Sequence, residues 1–342
     1  MFEIKLTPYR SSLGKIYHRQ TPGGQLVSPD GKYRFHLDDD SDEYDFWVVQ
    51  GKGLREAQTV RVAPQNTIFL STEPRSVLVY PTSYLRQFGL VYTCQEPTAH
   101  PNVHYGPAVL PWHVGYRDTP EGYVCDLDYD TLANAPTPEK TKLISVITSN
   151  KAFTQGHIDR IGFVAALKEH FKDRLDVFGR GFRDFGDKWE VLAPYRYHIA
   201  IENCSEPYYW TEKLADCYLA ETFPIYYGCR NIDDYFPETA CQTIDIKRPQ
   251  LAIEIIERTI AAHAAEEAAY SLEQCKQLVM GKYNLFGQIA TLCDTLDPHA
   301  VRKDVTLQPC RSGLERHNMF NYAIGRHYYK AKLRMMRKKL KL

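Results

Sequence analysis

Residues 202–213, which read "ENCSEPYYWTEK", bring acids, an amide, a base and aromatic rings into one short connection between two apolar segments. The segment before it, "RYHIAIEN", is a predicted β-strand, so Glu202 and Asn203 fall at its carboxyl end. In open α/β sheets, ligands bind just outside the carboxyl ends of the strands. The stretch therefore indicates a binding site.

The second half of the stretch is typical of a phosphate site. Thr211 opens a predicted helix, and Glu212 and Lys213 lie in its first turn. A helix N-terminus offers unpaired N–H groups and the positive end of a dipole, and Lys213 adds a full charge. Glu212 can accept two hydrogen bonds from a ribose diol, and Tyr209 can stack on a ring or hydrogen-bond to it. The set suits a nucleoside diphosphate.

A simpler interpretation of the same residues is structural. Thr211 would only cap the helix, Glu212 would favour the helix dipole, and Lys213 would be solvated. This interpretation leaves the preceding Glu-Asn pair and the Tyr-Tyr-Trp run unexplained.

From residue 141 onwards, predicted strands and helices alternate, which is typical of βαβ units and a parallel sheet. The strands are "KLISVITSN", "LDVFGRG", "RYHIAIEN" and "FPIYYG"; the helices are "RIGFVAALKEHF", "TEKLADCYLAET" and most of 249–298. We therefore predict an α/β domain over this half of the chain.

The first third is less regular. Residues 43–51 and 66–74 are predicted strands, residues 83–96 a short helix followed by a strand, and residues 97–123 loops. Residues 134–142, "NAPTPEKTK", have the prolines and charges of a linker. The predicted boundaries are an N-terminal domain over 1–135, a linker over 136–142, a second domain over 143–312 and a basic tail over 313–342.

Composition excludes some classes of function. The chain has 42 basic and 42 acidic residues, so it carries no overall field that would attract nucleic acid, and no nucleic-acid motif is present. Nine cysteines are spread singly without a CxxC pair, which favours reduced thiols over disulfides or zinc. No stretch reaches the ~18 apolar residues of a membrane span, and the start lacks a secretory signal. We expect a cytoplasmic protein.

The tail has a separate pattern. Residues 324–342, "IGRHYYKAKLRMMRKKLKL", contain eight Lys or Arg and no acid. One interpretation is a basic amphipathic helix on an anionic membrane surface, which would make the protein peripheral on the inner membrane face. The other is a solvated end.

The stretch "YRYHIAIEN…YYWTEKLADCYLAETFPIYYG" resembles the donor-site signature of the α-1,3/4-fucosyltransferase family. That signature has an aromatic-basic-aromatic lead, a strand ending in Glu-Asn, Tyr-x-Thr-Glu-Lys, a helix, and Pro-(Ile/Val)-x-x-Gly. Upstream, "VITSN", "DRIGFVAAL" and "DVFGRG" are similar to the family's turns and Arg-led helix. The resemblance covers residues 141–246 and, more weakly, residues 66–95.

The resemblance implies a bacterial-type GT-B glycosyltransferase, with two Rossmann-like domains facing a cleft and GDP-fucose bound to the second. Arg160 and Lys213 would hold the diphosphate, Glu212 would bind the ribose, and Asn203 and Tyr209 would line the donor pocket. An arginine can bind two phosphate oxygens at once. Without the resemblance, Arg160 is equally compatible with an ordinary surface position.

The resemblance also implies an inverting transfer that needs a base for the acceptor hydroxyl. Glu73 matches the position of the family's proposed catalytic carboxylate; alternatively it pairs with Arg75 in a turn. Glu202 either binds the sugar or, as we favour, holds Lys213 and Arg196 in place.

We therefore expect an enzyme that moves L-fucose from GDP-fucose onto a glycan hydroxyl, such as that of a lipopolysaccharide or O-antigen chain, without a metal cofactor. Trp210 and the segment "TACQTIDIKRP" depart from the family pattern. They leave open a transferase for another nucleotide sugar; an inactive glycan-binding protein is a second alternative.

Two other patterns are typical of ordinary surface loops. The acidic run at 36–46 contains Asp-x-Asp, a metal motif elsewhere, but it precedes a strand, so we favour a solvated loop. His100, His104 and His113 lack the spacing of metal ligands. Their region is predicted to form surface loops, with acceptor binding as the alternative.

Overall fold

The computed structural model describes residues 1–9, 14–37, 41–120, 122–149, 155–310 and 331. The chain forms two compact units. Unit 1 holds the described residues of 1–135, 206–212 and 277–310, and unit 2 holds those of 136–205 and 213–276.

Unit 1 is built around a parallel sheet with the strand order β2-β1-β3-β5-β6-β7. Its N-terminal elements are β1 (Phe2–Thr7), α1 (Gly14–His18), β2 (Tyr33–His36), β3 (Phe46–Gln50), β4 (Gln58–Val62), β5 (Thr67–Leu70), α2 (Thr82–Leu85), β6 (Leu90–Thr93), β7 (Val103–Tyr105), β8 (Tyr116–Thr119), β9 (Gly122–Cys125) and α3 (Tyr129–Asn134). Strands β8 and β9 form an antiparallel hairpin.

The central strand β3 shows why this sheet is covered on both sides. Phe46 and Val48 belong to one apolar cluster, and Trp47 and Val49 belong to another. Successive side chains of a strand point to opposite faces, so a continuous apolar run is stable only where both faces are buried.

Unit 2 contains a second parallel sheet, with the order β11-β10-β12-β13-β14. Its elements are β10 (Lys142–Ile147), α4 (Gln155–Phe171), β11 (Leu175–Phe178), β12 (Tyr195–Ile201), α5 (Glu212–Leu219), β13 (Phe223–Tyr227), β14 (Gln242–Thr243), α6 (Pro249–Ala261), α7 (Ala264–Glu267) and α8 (Ala269–Met280). Glu212, the first residue of α5, and residues 277–280 at the end of α8 are assigned to unit 1. The strands and helices predicted after residue 141 are confirmed, and so is the α/β class.

The end of the described chain returns to unit 1. Helix α9 (Leu285–Cys293) packs in the same apolar cluster as β1, and the ring of Phe286 meets that of Phe35 at 4.7 Å. Strand β15 (Lys303–Leu307) pairs antiparallel with β4. The structure thus divides the chain differently from the prediction, which placed all of 143–312 in one domain.

Other expectations have mixed outcomes. The region 97–123, expected to be loops, contains β7, β8 and the start of β9. The basic tail and residues 38–40 of the acidic run lie outside the described residues. All nine cysteines are described, most are buried, and none forms a disulfide. No helix in the described ranges combines the length and apolarity needed to cross a membrane.

Candidate functional site

The carboxyl ends of the unit 2 strands meet at one edge of the sheet, and Glu202 lies at its centre. Glu202 directly follows β12, and its backbone N–H donates to the carbonyl of Tyr227 at the end of β13. The Glu202 carboxylate is fully buried and contacts Lys213 from the first turn of α5, with 2.9 Å between Oε2 and Nζ. A buried carboxylate of this kind is stable because a cation compensates it.

Arg160 is the second cation at this edge. It lies on α4, is 8% exposed, and its Nη2 donates to Ser149 Oγ at 3.4 Å. Burial lowers the pKa of the Arg160 guanidinium, and the Glu202 carboxylate counteracts this shift. Arginine nevertheless stays protonated. Among the described residues, no group accepts a hydrogen bond from the buried Arg160 Nε. An anion at this edge could supply that acceptor.

Two glycines allow close packing of the backbone at the carboxyl ends of the unit 2 strands. Gly179, after β11, has a φ of +109°, and a Cβ there would lie 1.9 Å from the carbonyl oxygen of Thr148, next to Ser149. Gly228, after β13, faces Glu202 itself: a Cβ there would lie 2.5 Å from Glu202 Cγ and 2.2 Å from the hydroxyl oxygen of Tyr226. A side chain at position 228 would therefore displace the carboxylate.

We expect Gly228→Ala to disturb this edge. Because the new methyl overlaps two buried groups, the cost should be about 1–3 kcal/mol of unfolding free energy, measured by chemical denaturation. The matched control is Gly186→Ala, since its nearest neighbour is the flexible end of Glu190 at 3.1 Å. Equal stability of the two variants would contradict the close packing at Gly228.

A cavity of about 430 Å³ opens beside this edge. Ser205, Tyr227 and Gly228 line it, and Arg230, Asp245 and Lys247 contribute charges. Its size falls within the range of small-molecule sites. Asn203, which follows Glu202, is half-buried. No cluster of three or more His, Cys, Asp and Glu side chains that could hold a metal ion occurs within the part of the chain that the structure describes.

The structure separates Arg196 from Glu202 and Lys213. Arg196 is near the amino end of β12, whereas Glu202 follows its carboxyl end, so six residues of extended chain, about 20 Å, lie between them. Arg196 instead pairs with Glu266 at 3.4 Å and lines a different cavity, of about 420 Å³. The prediction that Glu202 holds Lys213 agrees with this geometry, and the prediction for Arg196 is wrong.

The loop 206–212 belongs to unit 1. Tyr208 has a φ of +63°, and its ring stacks on Tyr105 with 5.6 Å between centroids. Trp210, the departure from the family pattern, is buried against Tyr283 and so has a packing role. Tyr209 is 1% exposed. Its ring is therefore enclosed by protein rather than open for stacking on a ligand.

Glu212 and Glu73 are the two predicted acids of unit 1. Glu212 begins α5, and its Oε1 lies 3.9 Å from Nδ1 of His113. Glu73 follows β5 and is half-buried; its carbonyl accepts a hydrogen bond from the side chain of Gln95 at 2.8 Å. Arg75, the alternative partner of Glu73, donates to the carbonyl of Pro97.

The sequence analysis gave no donor-site role to three contributors: Ser149, Gly228 and His113. Ser149 and Gly228 had a usable signal, because each lies at the end of a predicted strand, at the edge where ligands bind. His113 had none, since nothing local to it specifies its proximity to Glu212, 99 positions away.

A family model described as glycosyltransferase family 10 (fucosyltransferase), C-terminal part, matches residues 137–260. The match makes this part of the chain, just over a third of its length, similar to the C-terminal part of family 10. It agrees with the resemblance seen in the sequence, and the matched residues include Arg160, Glu202 and Lys213.

Two curated relatives are similar to parts of this chain. An α-(1,3)-fucosyltransferase of Helicobacter pylori is 34% identical over 71 residues, 20% of this chain and 15% of that protein. A fucosyltransferase-like protein of Arabidopsis thaliana is 26% identical over 157 residues, 45% of this chain and 29% of that protein. The match thus spans less than a third of either relative.

Solved structures offer more distant likenesses. An α1,3-fucosyltransferase structure with GDP shares 14% identity at a TM-score of 0.49, covering 86% of this chain and 89% of that one. A structure of Anabaena HepE with UDP-glucose shares 9% identity at a TM-score of 0.46, covering 86% and 100%. These likenesses do not bear on the substrate.

Proposed function

We propose that this protein transfers L-fucose from GDP-fucose to a hydroxyl of a glycan acceptor, with inversion at the anomeric carbon. The observation that carries the proposal is the pairing of Lys213 with the buried Glu202, beside Arg160, at the carboxyl edge of the unit 2 sheet. Fixed positive charge at this edge supports a role in holding the leaving diphosphate.

The cations account for leaving-group stabilisation. When the glycosidic bond of a nucleotide sugar breaks, negative charge grows on the diphosphate, and preorganised cations stabilise that charge. Lys213 is held by Glu202, and Arg160 by burial and Ser149, so neither must reorganise during the reaction. The first turn of α5 adds its N–H groups. We therefore propose that no metal cofactor is required.

Two further carboxylates have proposed roles. Glu212, at the start of α5, would accept hydrogen bonds from the ribose hydroxyls. Glu73 would take the proton of the acceptor hydroxyl, and its position is supported by the hydrogen bond that fixes its carbonyl. Such general bases act by proton transfer in the transition state.

For the acceptor we propose a lipopolysaccharide or O-antigen glycan, and for the location the cytoplasm, peripheral on the inner membrane face. The support is the basic composition of residues 324–342 in the sequence.

Lys213→Ala tests the central contact. A hydrogen bond to a charged group contributes about 1.5–3 kcal/mol, so GDP should bind about 10- to 100-fold more weakly. Calorimetric titration measures this. The same substitution should reduce the affinity for GMP, which has one phosphate fewer, by less than it reduces the affinity for GDP.

The matched control is Lys168→Ala, which removes an exposed lysine of α4 in the same unit. It should leave GDP affinity unchanged. An unchanged GDP affinity in Lys213→Ala would remove Lys213 from the donor site.

A transferase for another nucleotide sugar is the second candidate. The observation that favours it is that Asp245 and Lys247, from the segment that departs from the family pattern, line the cavity at the donor edge. Turnover should be assayed across nucleotide sugars with different bases and sugars. Transfer only from a donor without guanine would replace GDP-fucose, and glycan binding without turnover on any donor would favour an inactive binding protein.

A further inference from the structure

The backbone around His113 is fixed by a buried arginine. Arg19 is 5% exposed, and its guanidinium donates to the carbonyls of Trp112, Val114 and Leu127. The carbonyls on both sides of His113 are thus bound to one rigid planar group, which offers its donors in a fixed geometry. His113 is therefore presented from a firmly anchored segment of unit 1.

The side chain of His113 faces the start of α5. Its Nδ1 lies 3.9 Å from Glu212 Oε1, and the exposed fractions of the two side chains are 30% and 14%. Its ring also lies 5.9 Å from that of Tyr116. Distances between functional groups are often long without ligand and shorten when substrate binds. The pair is thus partly buried and within ion-pair range.

We propose that His113 is a positioning residue for Glu212, which orients the carboxylate toward the ribose diol of a nucleoside diphosphate. This inference rests on the proposed function, in which Glu212 binds the ribose. A carboxylate has about four acceptor positions, so an imidazole N–H and ribose hydroxyls can donate to the same carboxylate. His113 thereby acts on the donor, whereas the sequence suggested an acceptor loop.

The test compares GDP with 2′,3′-dideoxy-GDP, which lacks the hydroxyls that Glu212 would bind. In His113→Phe, which keeps a ring but has no N–H, GDP affinity should fall about 3- to 10-fold, as for one hydrogen bond. Affinity for the dideoxy nucleotide should not change. His113→Gln, which offers an amide N–H, should restore most of the GDP affinity.

Controls separate positioning from folding. His299→Phe changes an exposed histidine of the same unit and should alter neither affinity. His113→Phe combined with Glu212→Ala should bind GDP no more weakly than Glu212→Ala alone. If His113→Phe proves unstable in thermal unfolding, His113→Gln is used instead. We expect this variant to bind GDP like the parent protein. If His113→Gln instead loses affinity for both GDP and the dideoxy nucleotide, the inference is wrong.

The two proposals can fail separately. If Glu212→Ala weakens the binding of GDP and of dideoxy-GDP equally, Glu212 does not bind the ribose hydroxyls. The ribose role of Glu212 and the positioning role of His113 are then both wrong. If Glu212→Ala weakens GDP selectively but His113→Phe does not, the ribose role stands and the positioning role of His113 is wrong.

Discussion

Glu73→Gln should lower the turnover of GDP-fucose by about 10²–10⁴-fold, which is the usual contribution of a general base. The amide cannot accept the acceptor's proton, yet it has nearly the shape of the carboxylate. The backbone at residue 73 is fixed through its own carbonyl by Gln95, so the change should affect charge alone. Turnover is measured as GDP release with whichever oligosaccharide acceptor the parent protein uses.

Donor binding separates this effect from a general loss of structure. GDP should bind Glu73→Gln as tightly as it binds the parent protein, since Glu73 is assigned to the acceptor. The matched control, Glu56→Gln, changes an exposed glutamate of unit 1 and should keep full turnover. Full turnover in Glu73→Gln would remove it as the base, and lost GDP affinity would point to the donor site instead.

Local patterns account for what the sequence predicted well. The predicted unit 2 strands are short apolar runs that end at glycine, Glu-Asn or Ser-Asn, and parallel pairing brings those ends to one edge. The prediction of Arg196 failed for a related reason. Arg196 and Glu202 are only six positions apart in sequence. Because the strand between them is extended, Arg196 lies near its amino end and Glu202 lies just beyond its carboxyl end.

Local sequence patterns do not determine contacts between distant parts of the chain. The apolar face of α9 predicts burial but does not specify which sheet will cover it, and in the structure it joins the cluster of unit 1. Similarly, nothing in "YYW" determines which ring is enclosed. The left-handed backbone at Tyr208 rotates its ring onto Tyr105 and leaves Tyr209 buried.

Glu202→Ala should lower the unfolding free energy by about 3–5 kcal/mol, the cost of breaking a buried ion pair by removing one partner. The loss is large because Lys213, whose side chain is only 27% exposed, would lose its contact with a fully buried carboxylate. Arg160, more deeply buried, would lose the negative charge that counteracts its desolvation. Chemical denaturation of the protein without nucleotide measures the effect.

The ion pair between Arg174 and Glu257 provides the matched control, because both of its contacts are also 2.9 Å long. Its side chains are 49% and 34% exposed, so solvent screens the attraction and Glu257→Ala should cost less than about 1 kcal/mol. If both variants lose the same stability, the Glu202 carboxylate is solvated, and the fixed arrangement of cations proposed for the diphosphate is wrong. A several-fold larger loss in Glu202→Ala means that the buried carboxylate of Glu202 compensates the positive charge of Lys213 and Arg160.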